Sequence, residues 1–399
     1  MISQLLKNLF YSIKIFMVFL FSFEAYRELF RLFKFIITQK KKIQYYKLRE
    51  RYGQFVSGFY MALSTFKGDA VIVFLKKDII YRGFDLELKN IFFNTNCFFI
   101  QSEFLYQITR FYFKNQKSEN FITNYHPTET LKNKNMFNFN IEKFLKFKDH
   151  NTVQSYIEKY FLKRNYVKKI IVISLKEKKY YSSYKKIFKN YVQPDYEFDS
   201  FERLHKVANY LCKNNYLVIR TGRHLKKSNF KHKLFFDYAS SKKFNNFTND
   251  LYIASIADYL LGNMTGFDHV CYLWFKKKIF FFQIRSYKFL LHFPNIYFSK
   301  MNIKKNKKKL EIYQQLEEES FLWKSQDQND LYKEYAKNKI YVSKYSPSII
   351  IKNINFFLNN NSKKFNNKKF YKNYLKYFSK EYKKIGRHLP VYFANYMKN

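Results

Sequence analysis

The sequence predicts an α/β protein built on parallel β-sheets, and three observations support this class. Short apolar runs typical of buried strands alternate with helical patterns along residues 169–284. A turn with two glycines, at residues 262–266, stands between one such run and a helical pattern. A second and less regular alternation covers residues 46–165, where apolar runs predict strands at 69–75 and 98–100. We therefore expect two α/β domains, for which a chain of 399 residues is long enough.

The strands of the second half are the clearest elements of the sequence. Continuous apolar runs predict strands at residues 169–174, 216–220, 259–261 and 278–284, and a short strand near 235–236. Between the first two strands, apolar residues recur at helical spacing over residues 200–213. Strands that alternate with helices in this way predict a parallel sheet with helices on both faces.

The turn Gly262-Asn263-Met264-Thr265-Gly266 is the leading candidate for a binding loop. It follows a predicted strand and precedes a predicted helix over residues 267–275, which Thr265 is placed to cap. Two glycines let the backbone approach a ligand closely, and the N–H groups at a helix start suit an anion. In an α/β sheet such a loop lies at the carboxyl end of a strand, where ligands bind.

Four motifs in a fixed order extend this pattern. They are Tyr216-Leu217-Val218-Ile219-Arg220-Thr221-Gly222, Asp237-Tyr238-Ala239, Asp250-Leu251-Tyr252 and Leu261-Gly262-Asn263-Met264-Thr265-Gly266. The series resembles a family of predicted glycosyltransferases from bacterial surface-polysaccharide gene clusters, whose motifs read YxVIRMG, DYA, DxYL and FxGTxSG. The resemblance covers roughly residues 48–399, and its specific part is 169–280.

The family's first half carries an RIGHF-like turn, and Arg51-Tyr52-Gly53-Gln54-Phe55 stands in the matching place as a predicted turn over residues 51–57. Gln54 replaces the family's histidine, and an amide cannot accept a proton at neutral pH. The family's chain end reads RIGxxFL, which Ile385-Gly386-Arg387-His388 echoes.

The resemblance implies two Rossmann-like domains facing across a cleft (a GT-B-like fold) and transfer of a sugar from a nucleotide-activated donor to a surface-glycan or lipid-linked acceptor. It implies neither a metal nor another cofactor. The donor-binding candidates are Arg220, Gly222, Arg223, Asp237, Gly262, Asn263, Thr265 and Gly266.

Some of these residues have a plainer interpretation. Arg220 could be a surface cation at a strand end, and Asp237 and Asp250 could cap helices or form turns. The catalytic base is expected in the first half, where Asp85 and His126 are the candidates. The alternatives are that Asp85 caps a helix starting near Leu86 and that His126 is a solvated loop residue.

The expected domains are an apolar and basic N-terminal helix at 1–45, an acceptor domain at 46–165, a donor domain at 166–345, and a linker with a helix at 346–399. Residues 115–150 are polar and without period, so we expect a loop there. The segment 304–319 is predicted to be a charged, solvent-facing helix. An Asn/Lys tract at 359–369 is predicted to be a linker, followed by a helix at 371–384.

The composition leaves a second class of function open. A net charge of +44 and 22% aromatic residues favour an RNA-binding or ribosome-associated protein without catalysis. However, lysine and asparagine are abundant together with Phe, Tyr and Ile, as AT-rich coding produces, and the lysines are spread along the chain. We therefore expect no nucleic-acid partner. A catalytically silent transferase fold is a third alternative, which the Gln54 departure keeps open.

Metal and nucleophile motifs are missing from the sequence. Cys97, Cys212 and Cys271 stand far apart, so core positions are favoured over disulfides or metal ligands. The histidines show no H-x-x-x-H spacing, and neither a phosphate-loop motif nor a G-x-S-x-G motif occurs.

The amino-terminal segment is apolar and aromatic from Leu5 to Ile37, with basic residues among and after the apolar ones. Its uncharged run, 15–23, is too short to span a bilayer, which takes about 20 apolar residues. The pattern favours a helix lying on an anionic membrane surface, so we expect a cytoplasmic protein on the inner face of the cytoplasmic membrane. Packing on the protein's own core and an uncleaved signal anchor are the alternatives.

Overall fold

A computed structural model describes the following residues: 17, 23–38, 43–49, 52–65, 70–76, 97–100, 105, 121–122, 139–144, 151–163, 166–178, 198–223, 225–284, 287, 296–299, 301–322, 328–359, 372–374, 376–377 and 395–397. The chain divides into two compact units. Unit 1 comprises residues 1–126 and 139–148, and unit 2 comprises residues 127–138 and 149–399. The predicted domain boundaries at 45, 165 and 345 stay a prediction.

Unit 1 contains a parallel sheet of four strands in the order β3-β2-β1-β4. Its elements are α1 (Phe23–Thr38), β1 (Ile43–Arg49), α2 (Tyr52–Thr65), β2 (Ala70–Lys76), β3 (Cys97–Ile100) and β4 (Phe121–Ile122). The predicted strands at 69–75 and 98–100 are confirmed as β2 and β3 to within one residue. The sequence reading missed β1, which pairs with β2 from Ile43 opposite Ala70 onward.

The predicted turn at 51–57 is wrong, because α2 begins at Tyr52 and runs through this segment. Gly53 and Gln54 therefore lie in the first turn of a helix that follows a strand. The hydroxyl of Ser57 donates a hydrogen bond to the carbonyl of Gly53 (2.8 Å) one turn earlier. Apolar side chains at helical spacing decide the outcome, since Phe55 and Phe59 are buried and their rings stack with centroids 5.5 Å apart.

Unit 2 is built on a parallel sheet of seven strands in the order β14-β10-β9-β8-β5-β6-β7. The strands are β5 (Lys169–Ser174), β6 (Tyr216–Thr221), β7 (Phe235–Phe236), β8 (Tyr259–Gly262), β9 (Lys278–Phe281), β10 (Tyr297–Ser299) and β14 (Asn395–Met397). The α/β class and the parallel sheet expected from the sequence are thereby confirmed, with strand ends within three residues of those expected for β5 to β9.

In the described part of unit 2, one helix precedes β5 and three lie between the strands from β5 to β9. They are α3 (Asn151–Ile157, continued by a π-helical turn at Glu158–Leu162), α4 (His205–Lys213, preceded by a 3₁₀ turn at Glu202–Leu204), α5 (Phe247–Ile256) and α6 (Gly266–His269, continued by a π-helical turn at Val270–Trp274). The predicted helices at 200–213 and 267–275 are therefore present, each as two joined pieces of different helical type.

The central strands of this sheet are buried on both faces. Five of the six residues of β5 are buried, and all four residues of β8. This burial explains their continuous apolar runs, because strands covered on both faces do not alternate apolar with polar residues. The core beside them includes Val207 and Leu211 of α4, Phe280 of β9 and Phe357.

Residues 301–343 form a smaller antiparallel sheet in the order β12-β11-β13. Its strands are β11 (Asn302–Lys305), β12 (Lys308–Lys309) and β13 (Ile340–Ser343), and α7 (Ile312–Leu322) and α8 (Gln328–Lys337) lie between the last two. The prediction of one charged helix over 304–319 is wrong in its first half. Asn306 and Lys307 both have positive φ values (48° and 68°), so they form a two-residue hairpin turn that a helix cannot include.

The C-terminal part of unit 2 contains α9 (Pro347–Leu358), inside the segment 346–399 that was expected to hold a linker and a helix. Ser346 caps it by accepting a hydrogen bond from the N–H of Ile349. Most of the predicted loop at 115–150, most of the tract at 359–369, most of the predicted helix at 371–384 and the motif at 385–388 lie outside the described residues.

Candidate functional site

The candidate site lies at the carboxyl edge of the large sheet, between β5 and β8. From β5 the chain proceeds to β6 and β7 on one side, and then returns to β8 and β9 on the other. The connection from β5 to β6 and the connection from β8 to β9 run in opposite directions along the sheet. Since such connections are right-handed, the two lie on opposite faces of the sheet, and the loops after β5 and β8 diverge here. Ligands of doubly wound sheets bind at this switch point.

The strand ends at the switch point are level. Ser174, the last residue of β5, is paired with Thr221 of β6 on one side and with Gly262 of β8 on the other. The loops that leave these three positions therefore start at the same height. They include most of the donor-binding residues that the sequence predicted.

The loop after β8 is shaped by a capping box at the start of α6. The Thr265 N–H and hydroxyl donate to the two oxygens of the Asp268 carboxylate, at 2.6 and 2.8 Å. Thr265 is thus confirmed as the helix cap. The sequence reading missed Asp268, which is fully buried and itself accepts the Thr265 N–H that was expected to face an anion.

The end of β8 at Gly262 passes close to the Asp268 carboxylate. A Cβ at position 262 would lie 3.1 Å from both carboxylate oxygens of Asp268, closer than ordinary van der Waals contact. The absence of a side chain therefore lets the end of β8 pass beside the buried carboxylate. Met264, inside the loop, has a φ of +68°, which gives the loop its sharp bend.

Two hydrogen bonds join this loop to the residues that follow β5. The Ser174 and Thr265 hydroxyl oxygens lie 2.6 Å apart, and the backbone N–H of Lys176 donates to the Asn263 side-chain oxygen at 2.7 Å. Asn263, predicted from sequence as a donor-binding residue, is buried and holds the two loops together. Ser174 and Lys176 were missed by sequence reasoning, although both stand at or just beyond the end of a predicted strand.

Lys176 is the unusual residue of the site. Its residue surface is only 1% exposed, and its ammonium lies 5.4 Å from the centre of the Phe198 ring. A buried cation at a switch point is chemically suited to an anionic group such as a phosphate.

Arg220, at the end of β6, is also buried and is held by carboxylates. It forms ion pairs with Glu177 (2.6 Å) and Asp237 (3.1 Å) and donates to the Lys226 carbonyl (2.9 Å). The interpretation of Arg220 as a surface cation is therefore wrong, since the residue is 1% exposed. Burial raises the pKa of the Glu177 carboxyl above its usual value, and the Arg220 charge opposes that shift.

The Asp237 carboxylate contacts both Arg220 and the loop that precedes β7. Besides Arg220, its carboxylate accepts the N–H of Ser228 at 2.8 Å. It precedes the 3₁₀ turn Tyr238–Ser240, but its side chain makes no capping hydrogen bond. The helix-capping alternative for this residue is therefore wrong. Asp237 instead fixes the loop between β6 and β7.

A second pair lies beside this loop. Arg223 forms an ion pair with Asp250 (2.9 Å), which also accepts the hydroxyl proton of Tyr238 (2.6 Å). Burial, followed by the Asp250 charge, raises the pKa of Tyr238, so that hydroxyl stays a donor. Gly222, with a φ of +147°, lets the chain turn from β6 into Arg223, and its carbonyl accepts from Asn245 at 2.6 Å.

The remaining predicted site residues lie elsewhere. Arg51 is outside the described residues, and Gly53 and Gln54 belong to α2 of unit 1. Asp85 and His126 are also outside the described residues, so their assignment as catalytic candidates stays a prediction. Gly266 is the first residue of α6, directly after the capping Thr265.

Two other kinds of site are missing from the described part of the chain. It contains no group of three or more His, Cys, Asp or Glu residues arranged to hold a metal ion. None of its helices has both the length and the apolar character needed to cross a membrane.

Comparisons with known proteins give one structural likeness. No protein-family description matches the chain, and no curated protein matches it in sequence. Among solved structures, the chain is similar to the bacterial iron-containing dodecameric glycosyltransferase TibC from enterotoxigenic E. coli H10407, with a TM-score of 0.27 and 6% sequence identity. The likeness covers 60% of this chain and 58% of that one, so it spans less than two thirds of either protein.

Proposed function

We propose that the protein is a glycosyltransferase that moves a sugar from a nucleotide-activated donor to a surface-glycan or lipid-linked acceptor. The observation that carries the proposal is the switch point of unit 2, where a glycine-containing loop and the buried Lys176 meet at the ends of β5 and β8. The family resemblance of the motifs in residues 216–266 supports the same activity.

The proposed chemistry is electrostatic stabilisation of the leaving group. As the bond between sugar and nucleotide breaks, negative charge develops on the diphosphate, and fixed donors aimed at it lower the barrier. In this proposal the Lys176 ammonium supplies the positive charge, and the mutually hydrogen-bonded Ser174 and Thr265 hydroxyls hold the two loops in place beside it. No metal and no further cofactor enter the proposed step.

The other predicted donor-site residues act by shaping the loops. Gly262, Asn263 and Gly266 allow and hold the loop after β8, whereas Gly222 and Arg223 direct the loop after β6. Arg220 and Asp237 fix the base of that second loop through their ion pair. They are proposed as positioning residues.

The acceptor half is proposed from the resemblance alone. The resemblance assigns unit 1, with Arg51, Gly53 and Gln54, to acceptor binding in a GT-B-like arrangement. The catalytic base is proposed to be Asp85 or His126. Because the proposed acceptor is a surface glycan or is linked to lipid, we propose that the protein is located at the inner face of the cytoplasmic membrane.

Donor binding is the step to test first. Purified protein would be titrated with UDP-, GDP-, CMP- and dTDP-sugars, and binding followed by thermal shift and calorimetry. We expect one nucleotide class to bind and Lys176→Gln to weaken it about tenfold or more, since a charge-assisted hydrogen bond is lost. Lys169→Gln is the matched control, because Lys169 stands at the opposite end of the same strand and its ammonium contacts Tyr259.

Three results would contradict the proposal or part of it. If no nucleotide sugar binds, while a mixed-sequence RNA binds tightly, the RNA-binding alternative replaces it. If a donor binds equally well to Lys176→Gln and to the unaltered protein, the site lies elsewhere. If a donor binds and is never transferred to any acceptor or to water, the chain is a catalytically silent member of the class.

A further inference from the structure

Helix α1 presents an apolar stripe to solvent. Phe23, Phe30 and Ile37 are 80%, 71% and 79% exposed, and Tyr26 and Phe33 are also exposed. These five residues are spaced three or four apart, so they lie along one side of the helix. Exposed single apolar residues are common, but a continuous aromatic stripe of this length marks an interaction surface.

The helix is held in place by a different side. Leu32 is only 3% exposed, and the Phe35 ring lies 5.5 Å from the Phe98 ring of β3. With 100° of rotation per residue, Leu32 lies roughly opposite the exposed stripe. Helix α1 therefore has two apolar sides. One packs within unit 1, and the other remains exposed.

A basic row runs beside the exposed stripe. Arg27, Arg31 and Lys34 are all exposed, and they lie roughly a quarter turn away from the stripe. Lys40, Lys41 and Lys42 follow in the sequence, so residues 23–42 contain six basic residues against Glu24 and Glu28. Cations bordering an aromatic face match the composition of helices that lie in the headgroup region of a bilayer.

We infer that the stripe Phe23–Tyr26–Phe30–Phe33–Ile37 is a docking face for an anionic lipid surface, with Arg27, Arg31 and Lys34 against the headgroups. Charge complementarity selects this occupant. A second copy of the chain would bring another basic row and a net charge of +44 against the first, which disfavours self-association through this face.

The inference is independent of the proposed transfer activity and can be tested without it. The full chain would be floated with vesicles of phosphatidylcholine alone and with added phosphatidylglycerol. We expect flotation with the anionic vesicles, reduced about tenfold or more by the double variant Phe30→Ser, Ile37→Ser. Arg27→Gln with Arg31→Gln should weaken the same binding and make it less sensitive to salt.

Tyr341→Ser is the matched control. Tyr341 on β13 is 63% exposed, so this substitution removes an exposed aromatic ring at a position far from α1 in sequence. It should leave flotation unchanged. Equal flotation of the Phe30/Ile37 variant and the unaltered protein would overturn the inference and assign binding to overall charge. A dimer that dissociates in the Phe30/Ile37 variant, without any vesicle binding, would equally overturn it and make the face a contact between copies.

Discussion

The Oγ atom of Ser174 and the Oγ1 atom of Thr265 lie 2.6 Å apart, although 91 residues separate them in the chain. One belongs to the last residue of β5 and the other caps the helix after β8, so their hydrogen bond closes the switch point of the sheet. Thr265 uses the same hydroxyl toward Asp268. One side chain thus links the strand end, the loop and the helix start.

This double role predicts how position 265 tolerates change. Thr265→Ala should lower the free energy of unfolding by about 1–2 kcal/mol, because it removes a helix cap and a second hydrogen bond. Thr265→Ser should retain most of the stability, since the hydroxyl remains. Urea unfolding of both variants, with Ser174→Ala and the double variant as a cycle, measures the coupling. Equal losses for Ala and Ser would contradict the role of the hydroxyl.

Gly222 is expected to be intolerant of any side chain for two separable reasons. Its φ of +147° is strained for other residues, and a Cβ there would lie 2.5 Å from Cδ1 of Leu225. Gly222→Ala should cost about 2 kcal/mol of unfolding free energy in denaturant titration. Combining Gly222→Ala with Leu225→Ala should recover only the part of the lost free energy that is due to the steric clash. The Leu225→Ala single variant is the reference for this comparison. A fully neutral Gly222→Ala variant would show that the turn can relax.

Arg220→Met is expected to be strongly destabilising. It leaves the partly buried carboxylates of Glu177 and Asp237 without their common cation, and breaking such a pair costs about 3 kcal/mol or more. Asp237→Asn in the same chain should restore part of the loss by removing one of the two negative charges. Chemical unfolding at neutral pH measures both effects. If the second change brings a further loss instead, repulsion between the carboxylates is not the cause.

The ion pair between Arg220 and Glu177 is expected to make the free energy of unfolding depend on pH. Burial raises the folded-state pKa of Glu177 above its unfolded value, so the folded protein binds this proton more tightly. The resulting stability is fully present below the unfolded pKa of about 4.5 and is lost as the pH rises through the folded pKa. Removing Arg220 takes away the charge that opposes this shift. The stability deficit of Arg220→Met should therefore be smaller near pH 4.5 than at pH 7, and a deficit independent of pH would contradict this account.

The buried cysteines are expected to be unreactive in the folded protein. Burial raises the pKa of Cys212 to about 12, and its thiol donates to the Leu234 carbonyl at 3.3 Å. Burial also raises the pKa of Cys271. At pH 8 roughly one Cys212 in ten thousand is a thiolate, the reactive form. In a Cys97→Ser background, iodoacetamide at pH 8 should label neither residue until guanidinium is added, and rapid labelling of the folded chain would contradict this.

Much of unit 2 follows from sequence pattern, because its central strands are covered on both faces. Such strands need uninterrupted apolar residues, and the runs ending at Ser174, Thr221 and Gly262 show them. The cap at Thr265 is equally local, since a threonine directly before a predicted helix is enough to predict it. These features depend on neighbours in the chain.

The tertiary structure decided what depends on distant residues. The sequence does not show that Lys176 is buried beside Phe198, because lysines are spread along the whole chain. Nor does it show that Arg220 is buried between Glu177 and Asp237. The hairpin at Asn306–Lys307 replaced a helix because β13, more than thirty residues later, pairs with β11. Sequence by itself determined the central strands of unit 2 and the glycine loop through local apolar spacing and backbone freedom. Which polar side chains meet at the strand ends was decided by strand order, since only the folded sheet brings β5, β6 and β8 side by side.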